Sequence, residues 1–582
     1  MEFELFEKRR GNRRWFLGLA GGTGAAAGLA SFGCSGDARK PSPSGRPTDD
    51  ASDTTPSAGS SSPTVPPGQR GETLRYTGYV VGDGKFDPHK TQAGPFYGQQ
   101  AMVFSRLLSY ASQAEGKLAT DIATNMPEQP DGQTLVFRLN PQARWHETDP
   151  VNGRTVTAQD VQFSIERQLQ GDATFIRKAR WANVDKIEAT DPSTLTFKLK
   201  APLAGMVAAF ADVNSFIVAP ELVDKGRQFT ADVQVGSGPF KWVDWSEGQF
   251  ASVARNPKWH GGNARPFLDG VTVIQPKDTA EVEAKLRTKK LDVAFVGRPQ
   301  ADKLKSKVES LQEQTVGHSL FFGMRFFLQT APFNDVRFRT AVSVALDRRD
   351  MLQQFFAGSG EVNPWISWPI SPWTLPQTEL TTVPGYRPGS AGRVQDITDA
   401  KALLAAYTNE KKLPDTLNLF VLDDAERALK MGSVIRDQLK QALDLNVTVY
   451  PVTQAQLGAG LLDGSYSWAA APDNGWVDLD DWVYPYFHSS GTKNTFSVRD
   501  ADFDKLIESQ RSELDPAQRR EIGFQIQRKL LTLNPAVNLV SERLVALSWP
   551  YVRGFPLDAS DGYQHRFADC WIDRSHPDFR GR

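Results

Sequence analysis

Residues 137–167 read FRLNPQARWHETDPVNGRTVTAQDVQFSIER. Apolar and polar side chains alternate over 135–139, and this period of two predicts a strand. Val161 and Ile165 then share one helical face behind a Thr-x-x-Asp sequence at 157–160, which is typical of a helix that begins with a capping box. A strand followed closely by a helix indicates an α/β fold.

The same alternation of element types continues on both sides of this stretch. Strand patterns recur at 195–199, 291–296 and 447–452, whereas apolar stripes at helical spacing occupy 338–346 and 428–442. This mixture predicts an open mixed sheet covered by helices. With 582 residues, the chain is too long for one ordinary domain, so two or three packed lobes are expected.

The N-terminal residues show an export pattern. Arg13 and Arg14 precede an aromatic-leucine sequence in a basic segment and resemble a twin-arginine signal. Cys34 follows a weakly apolar Gly/Ala stretch and resembles a lipoprotein processing site. We therefore predict an export signal over 1–33 and lipidation of Cys34. The alternative is an uncleaved membrane anchor over 15–33, which is about long enough to span a bilayer.

Residues 34–71 contain almost no large apolar side chain and are rich in Ser, Pro and Thr. Such a segment cannot bury enough surface to offset its ordering entropy, so it is predicted to be a disordered tether. A coil of this length has a typical end-to-end distance of roughly 35 Å. That distance is enough to hold a folded body just above a membrane.

Charge and motif content argue against several classes of function. The net charge is -1 and basic residues are interleaved with acidic ones, so no nucleic-acid-binding surface is predicted. The seven histidines never fall at metal-ligand spacing, and no HExxH, CxxC, GxSxG or P-loop sequence occurs. We therefore predict no bound metal, no cofactor and no catalytic residue. Cys570 is expected to be a buried thiol outside any disulfide.

Four aspartates cluster late in the chain, at positions 473, 478, 480 and 481. A solvated acidic turn is the more common origin of such a cluster. A carboxylate group in a binding site is the alternative.

Several segments together resemble one protein family, the oligopeptide/dipeptide/nickel-binding type of ABC-transporter substrate-binding protein, known as bacterial solute-binding family 5. In family order these segments are FDPHK at 86–90, the stretch 137–167, GSGPFKWVDWSEGQFASVARNPKWHGG at 236–262, PFLDGVTV at 266–273 and PFNDVRFRTAVSVALDRRDMLQQFFAGSG at 332–360. They span most of the chain after the tether, which makes an accidental resemblance very improbable.

The resemblance implies an α/β, two-lobed periplasmic-binding-protein-like fold (type II, cluster C) with an inserted extra subdomain in the first lobe. The implied parts are lobe I at 72–296, its inserted subdomain at about 115–215, lobe II at 297–544, and a return to lobe I at 545–582. The chain is expected to cross between the lobes near Val296 and Leu544. In this family the lobes close over the ligand by a hinge motion.

The resemblance also implies a ligand anchor. Peptide-binding members hold the α-ammonium group of the ligand with an Asp in a W-x-x-D-Y-x-x-P segment. The corresponding stretch here reads GWVDLDDWVYPYFHSSG at 475–491, in which Trp476 and Asp478 match best, with a shortened spacing. A charge-assisted hydrogen bond in a dehydrated cleft contributes roughly 1.5–3 kcal/mol, so Asp478 is the predicted anchor. In the alternative, the shortened loop leaves Asp478 or Asp473 solvated, and the ligand need not have a free amino terminus.

Tryptophans around the expected cleft are predicted to hold the ligand by stacking on its apolar groups or sugar rings, and packing in the core is the alternative. Trp468 lies in the strand-like sequence YSWAAA and is expected in the core instead. Gly236 and Gly238 are expected to be required for the backbone geometry of a turn rather than for ligand contact. The ligand-binding residues predicted from this region, together with Asp478 and Asp473, are Trp365, Trp368, Trp476 and Trp482.

The sequence thus predicts a monomeric, lipid-anchored binding protein at the periplasm or outer face of the cell membrane. It would capture oligopeptides and deliver them to the permease subunits of an ABC importer. Within the same family, the alternative ligand is a non-peptide solute such as an oligosaccharide or a chelated metal. In a different class, the alternative is an extracytoplasmic enzyme or a sensory receptor on the same scaffold, and an enzyme would need a nucleophile and a base in the cleft.

Overall fold

The computed structural model describes most of the chain after the predicted tether. The described residues are 68–80, 86–90, 94–172, 174–175, 177–224, 229–230, 234–262, 264–366, 373–423, 426–474, 477–558, 561–580 and 582. Arg13, Arg14 and Cys34 lie outside them, as does the predicted tether up to residue 67. Within the described part of the chain, no helix is both long and apolar enough to cross a membrane.

The strands are β1 Thr73–Thr77, β2 Leu108–Ser112, β3 Lys117–Thr120, β4 Glu128–Asp131, β5 Thr134–Arg138, β6 Val184–Asp191, β7 Thr194–Leu199, β8 Phe240–Ser246, β9 Phe250–Arg255, β10 Gly270–Ile274, β11 Val293–Val296, β12 Gln312–Phe326, β13 Gly360–Val362, β14 Leu417–Leu422, β15 Val447–Val452, β16 Trp468–Asn474, β17 Ala536–Ser548, β18 Val552–Arg553 and β19 Trp571–Ile572.

The helices are α1 Gly94–Val103, α2 Ala158–Gln170, α3 Lys178–Trp181, α4 Met206–Ala209, α5 Pro220–Asp224, α6 Thr279–Arg287, α7 Arg298–Lys307, α8 Val336–Ala345, α9 Arg348–Phe356, α10 Gln377–Leu380, α11 Gly389–Thr408, α12 Glu426–Leu443, α13 Gln454–Asp463, α14 Leu479–Phe487, α15 Ala501–Ser512 and α16 Pro516–Leu533. Two short 3-10 helices follow at Gln564–Asp569 and Pro577–Phe579.

The elements predicted from periodicity are confirmed. The stretch at 137–167 contains the end of β5 and most of α2, and the backbone N–H of Thr157 donates to the Asp160 carboxylate at 2.9 Å, as the capping box requires. β7, β11, α8, α12 and β15 coincide with the other predicted segments. β5 belongs to a small antiparallel sheet of order β4-β5-β7-β6, against which α2 packs.

The large sheet has the strand order β15-β14-β16-β12-β17-β11-β1-β10-β9-β8, with β13 also paired to β17. Its pairings are mixed, since β1 runs parallel to β10 and β11, whereas β12 runs antiparallel to β16 and β17. The long strands β12 and β17 pair along most of their length. The sheet is therefore continuous, although two separate groups of helices cover it.

Separate hydrophobic cores divide the molecule into two lobes. The first core combines residues from 74 to 311 with residues from 545 to 572. The second lobe contains two larger cores, built from 322–540 and 321–536, and a smaller one at 422–469. Most of these core side chains are less than one tenth exposed, and burial of their apolar surface is the main force that holds each lobe together.

The chain passes between the cores within the two long strands. Leu311 still packs in the first core, whereas Phe321 and Phe322 pack in the second lobe. On the return, Val540 belongs to the second lobe and Val545 to the first. The pairing of β12 with β17 shifts register between Gly317 and Phe321, next to this change of core.

Asp292 ties the two ends of the folded chain together inside the first lobe. Its side chain is fully buried and accepts hydrogen bonds from Arg75 at 2.8 to 3.1 Å, from Arg582 at 2.9 Å and from the Tyr551 hydroxyl at 2.9 Å. Arg582 also pairs with Glu72 beside β1. Burial alone would raise the pKa of Asp292, but the two arginines lower it below its ordinary value.

Cys570 is buried, as predicted, and burial raises the pKa of its thiol. Trp468 is also in the core, fully buried against Phe326 and Phe333. Both residues thus serve packing rather than chemistry.

Candidate functional site

The acidic segment singled out by the sequence forms the start of α14. Asp478 caps the helix, since its carboxylate accepts a hydrogen bond at 2.9 Å from the backbone N–H of Asp480. An aspartate at this position also interacts favourably with the positive end of the helix dipole. Trp476, just before the cap, lies outside the described residues.

Asp478 forms a two-pronged ion pair with Arg519 of α16. The two N–O distances are 2.9 and 2.8 Å, and both side chains are 6% exposed. Burial alone would raise the pKa of Asp478, but the Arg519 guanidinium overcomes this effect and lowers it to about 2. The carboxylate is therefore ionised at neutral pH and already satisfied by the protein.

Asp481, in the first turn of α14, pairs across the boundary between the lobes. Its Oδ1 lies 2.5 Å from Nη1 of Arg180, in α3 of the first lobe. Burial raises the pKa of Asp481 to about 6, although Arg180 and Arg177 oppose the shift. We call the boundary where residues 177–212 of the first lobe meet residues 478–519 of the second the seam.

The aspartate cluster is not a solvated turn, contrary to the more common interpretation. Asp478 and Asp480 are only 6% and 8% exposed. Asp480 accepts a hydrogen bond from Gln510 at 2.6 Å and lies 3.2 Å from Arg511, and burial raises its pKa. Asp478, Asp480 and Asp481 can lie this close together because arginines from three helices neutralise them.

The first lobe contributes a second ion pair to the seam. Arg177, just before α3, pairs with Asp212, which follows α4. Burial alone would raise the pKa of Asp212, but Arg177 and Arg180 lower it. Tyr97 of α1 lies close enough to Arg177 and Asp212 for both to affect its titration, and burial raises its pKa. Charged and polar groups from three elements of the first lobe thus converge here.

Asp473 lies on β16, directly opposite Phe321 of β12, and pairs with Arg325. Its side chain is 21% exposed, more than that of Asp478. Lys493 lies near this pair with its ammonium group 5.2 Å from the centre of the Tyr486 ring, and burial lowers its pKa. This second charged group belongs wholly to the second lobe.

Two of the predicted ligand-binding tryptophans are buried in the second-lobe core built from 321–536. Trp482 is 1% exposed and stacks on Phe321, with 5.5 Å between ring centres. Trp365 is 7% exposed, packs edge-on against Phe487 and donates its indole N–H to the Trp482 carbonyl at 2.9 Å. Ligand contact by these rings stays a prediction. Trp368 lies outside the described residues.

Sequence reasoning missed the arginines of the site. Arg180 and Arg519 lie far from the acidic segment along the chain and belong to no motif, so only the fold brings them to α14. The one available signal was the need for charge neutralisation. Carboxylates that lie together in an α/β core require neighbouring cations.

Both signs of charge occur at the seam on both lobes, and separation of the lobes would free these groups to form charge-assisted hydrogen bonds with a polar solute. Among the described residues, no three His, Cys, Asp or Glu side chains are arranged to hold a metal ion. A cavity of about 240 Å³ lies elsewhere, lined by first-lobe residues that include His146, Trp242 and Trp245. Its lining comes from the first lobe alone, whereas the seam brings together charged groups of both lobes, which makes the seam the better candidate site.

A protein-family model described as bacterial extracellular solute-binding proteins, family 5 (middle), matches residues 117–495. Among curated proteins, relatives from Brucella species are 25% identical over 293 residues, a match that covers 49% of this chain and 53% of theirs. The chain therefore matches about half the length of those relatives.

Two other curated relatives match over more of their length. The periplasmic oligopeptide-binding protein OppA of Salmonella typhimurium is 26% identical over 510 residues, covering 81% of this chain and 88% of that protein. The oligopeptide-binding protein AppA of Bacillus subtilis is 23% identical over 460 residues, covering 74% and 80%.

Solved structures share the fold at low sequence identity. DppA from Helicobacter pylori in complex with the peptide STSA superposes with a TM-score of 0.68 at 20% identity, over 87% of this chain and 99% of that one. AgaA from Agrobacterium tumefaciens R10 in complex with agropinic acid gives 0.67 at 21% identity, again over 87% and 99%. These similarities confirm the predicted architecture of two lobes.

Proposed function

This chain belongs to the family 5 bacterial extracellular solute-binding proteins, since the family model matches well over half of it, and we propose that it is the substrate-binding component of an ABC importer rather than an enzyme. We further propose an oligopeptide as its ligand. Two relatives that match most of the chain are named oligopeptide-binding proteins, which supports this choice.

One observation carries the proposal: charged side chains of both lobes meet at the seam, while β12 and β17 lead from one lobe to the other. This arrangement suits a hinge that closes over a ligand, because a few residues in the linking strands can absorb the rotation. We place the hinge at the register shift between Gly317 and Phe321 and at the return between Val540 and Val545. The first crossing would then lie beyond Val296, and the second would match Leu544.

The cellular setting is also part of the proposal. We infer export by the twin-arginine route through Arg13 and Arg14, anchoring through lipid on Cys34, and a tether that lets a monomeric body reach its permease. The relative named a periplasmic oligopeptide-binding protein supports a location outside the cytoplasm. The pattern of the N-terminal residues supports the route and the anchor.

Two carboxylates are candidates for the ligand's ammonium group. Asp478 was predicted from the family motif, and a ligand there would share the carboxylate with Arg519. Asp473 is more exposed, pairs with Arg325 and lies near Lys493. We propose that one of these two aspartates meets the peptide terminus.

Closure is tested by small-angle scattering of the full chain. Addition of tetraalanine, or failing that of a mixed tri- to pentapeptide pool, should lower the radius of gyration, because only the closed form contacts the ligand from both lobes. A pool that binds in calorimetry without any change in the radius of gyration would contradict the hinge.

Recognition of the peptide terminus is tested by calorimetry with free and N-acetylated tetraalanine. The free amine should bind about 10- to 100-fold more tightly, since a charge-assisted hydrogen bond contributes roughly 1.5–3 kcal/mol. Asp473→Asn and Asp478→Asn should then show which carboxylate is responsible, because the responsible variant loses the preference for the free amine. Equal binding of both peptides by the unmodified protein would instead favour a neutral solute held by tryptophans.

A further inference from the structure

The seam is closed by protein atoms of both lobes, through three different kinds of contact. The first is the ion pair between Arg180 and Asp481, at 2.5 Å, whose side chains are 10% and 14% exposed. Nη2 of Arg180 also donates to the Gly205 carbonyl at 3.3 Å, which fixes the guanidinium against its own lobe. The cation is thus positioned in the first lobe, and its carboxylate partner comes from the second.

The second contact joins the two backbones directly. The N–H of Ala204 donates to the carbonyl of Arg511 at 2.7 Å. Arg511 lies in the last turn of α15, and its guanidinium lies 3.9 Å from the centre of the Tyr484 ring. A main-chain hydrogen bond between lobes does not depend on a flexible side chain, so it requires the two surfaces to be in register.

The third contact is a close approach at Gly205. A Cβ atom added there would lie 2.6 Å from Oδ1 of Asp478 and 3.5 Å from Nη2 of Arg519. The Asp478 carboxylate cannot easily move away, because Arg519 and the N-terminus of α14 both hold it. Gly205 itself has φ -72° and ψ -3°, a conformation that alanine adopts without strain. The close packing across the seam, and not backbone geometry, is therefore what disfavours a side chain at this position.

We propose that these contacts form a latch, in which Arg180 and Gly205 of the first lobe engage Asp481 and Asp478 of the second. The latch favours the closed form through protein contacts, so a ligand supplies only the remainder of the free energy of closure. This inference rests on the hinge closure of the proposed function. It predicts that ligand affinity can be changed at positions that need not touch the ligand.

The latch is tested in the full chain without added ligand. Nitroxide labels on Asp185→Cys and Lys505→Cys, both at exposed positions of opposite lobes, report the distance between the lobes by pulsed electron resonance. In Gly205→Ala and in Asp481→Asn the distribution should shift to longer distances. Gly205→Ala is the sharper variant, because the added methyl group clashes only when the lobes are together.

Two control variants separate the latch from general loss of stability. Gly458→Ala also adds a methyl group to a helical segment, but no atom lies within 4 Å of the new Cβ. Glu379→Gln breaks the ion pair with Arg528, which lies within the second lobe. Both should leave the distance distribution as in the unmodified protein. Identical distributions in Gly205→Ala, Asp481→Asn and the controls would overturn the latch.

The same distance measurement with added peptide distinguishes failure of the latch from failure of the proposed function. Tetraalanine should shorten the distance in every variant, and its affinity for Gly205→Ala should fall about tenfold because part of the closing free energy is lost. A response to peptide with no effect of the seam variants would refute the latch and leave the binding function standing. Longer distances in the seam variants with no response to tetraalanine or to the mixed peptide pool would support the latch and refute the peptide ligand.

Discussion

Asp478 and Arg519 form the most deeply buried ion pair of the candidate site, with both side chains 6% exposed. Removal of one partner leaves an uncompensated charge in the interior, which typically costs about 3–5 kcal/mol. Asp478→Asn should therefore lower the free energy of unfolding by an amount of this order, as measured by denaturant titration. Asn can still cap α14, so the loss reports the charge rather than the cap.

Two comparisons check the assignment. Glu379→Gln breaks the more exposed pair with Arg528 and should cost less than about 1 kcal/mol. Neutralisation of both buried partners, in Asp478→Asn with Arg519→Met, should cost less than Asp478→Asn alone, because no lone charge then remains. An equal cost for Asp478→Asn and Glu379→Gln would mean that solvent reaches the buried pair.

His89 gives the protein a defined response to acid. Its Nε2 lies 2.8 Å from the Phe216 carbonyl, whereas its Nδ1 lies 2.8 Å from Nη1 of Arg167 and so must accept a hydrogen bond. The neutral ring fits these partners and a doubly protonated ring does not. Accordingly, burial, assisted by the charge of Arg167, lowers the pKa of His89 to about 4.

The sign of the pH dependence follows from this shift. Between pH 6.5 and about 4 the unfolded chain binds a proton at His89 that the folded chain does not, so the free energy of unfolding falls as the pH falls. His89→Gln keeps one donor and one acceptor but cannot titrate, so it should reduce the slope by up to one proton. Denaturant titrations at several pH values measure this, and an unchanged slope in His89→Gln would show that His89 is protonated in the folded protein.

At the scale of single elements, the turn at 236–238 needs glycine because it lies very close to the backbone of α1, and not because of an unusual backbone conformation. A Cβ atom at Gly236 would lie 2.0 Å from the carbonyl oxygen of Val103, and one at Gly238 would lie 2.7 Å from the same atom. Gly238 also donates its N–H to this oxygen at 2.8 Å. The end of α1 and the turn are thus in backbone contact, which is why the sequence requires glycine here.

Gly236→Ala should therefore destabilise the first lobe by about 1–3 kcal/mol or more, because overpacking against backbone has no side chain that can yield. Gly458→Ala is the matched substitution, since Gly458 lies in α13 with open space around it. That change should stabilise the protein by roughly 0.5–1 kcal/mol through helix propensity. Thermal or denaturant unfolding compares the two, and opposite signs are expected.

Local patterns were sufficient to predict elements such as β5, α2 and α12, because each pattern depends on residues only a few positions apart. The partners of the acidic segment could not be predicted in this way. Arg180 and Asp481 are 301 positions apart, so their contact depends on how two lobes meet and not on any local spacing. The sequence also failed to show that the aspartates are buried, since burial follows from packing of α14 against α15 and the neighbouring core.

At the scale of the whole molecule, the export signal and the anchor are separable. Arg13→Lys with Arg14→Lys should block export, since the resemblance implies that the twin-arginine route requires both arginines. Cys34→Ser should leave export intact and release the protein from membranes, because it removes the site of lipidation. Cell fractionation with immunoblotting measures both the export and the membrane attachment of these variants. Retention of Cys34→Ser in membranes would indicate that residues 15–33 form an uncleaved anchor.

The first lobe is assembled from both ends of the folded chain, through the strands around β1 and the cluster at Asp292, while the second lobe comes from one uninterrupted stretch. During synthesis, residues 74–311 emerge from the ribosome well before residues 545–572, which complete their core. At about 5–20 residues per second, the delay is on the order of tens of seconds. The second lobe can thus fold before the core of the first lobe is complete, and apolar surface of residues 74–311 stays exposed until residues 545–572 have been made.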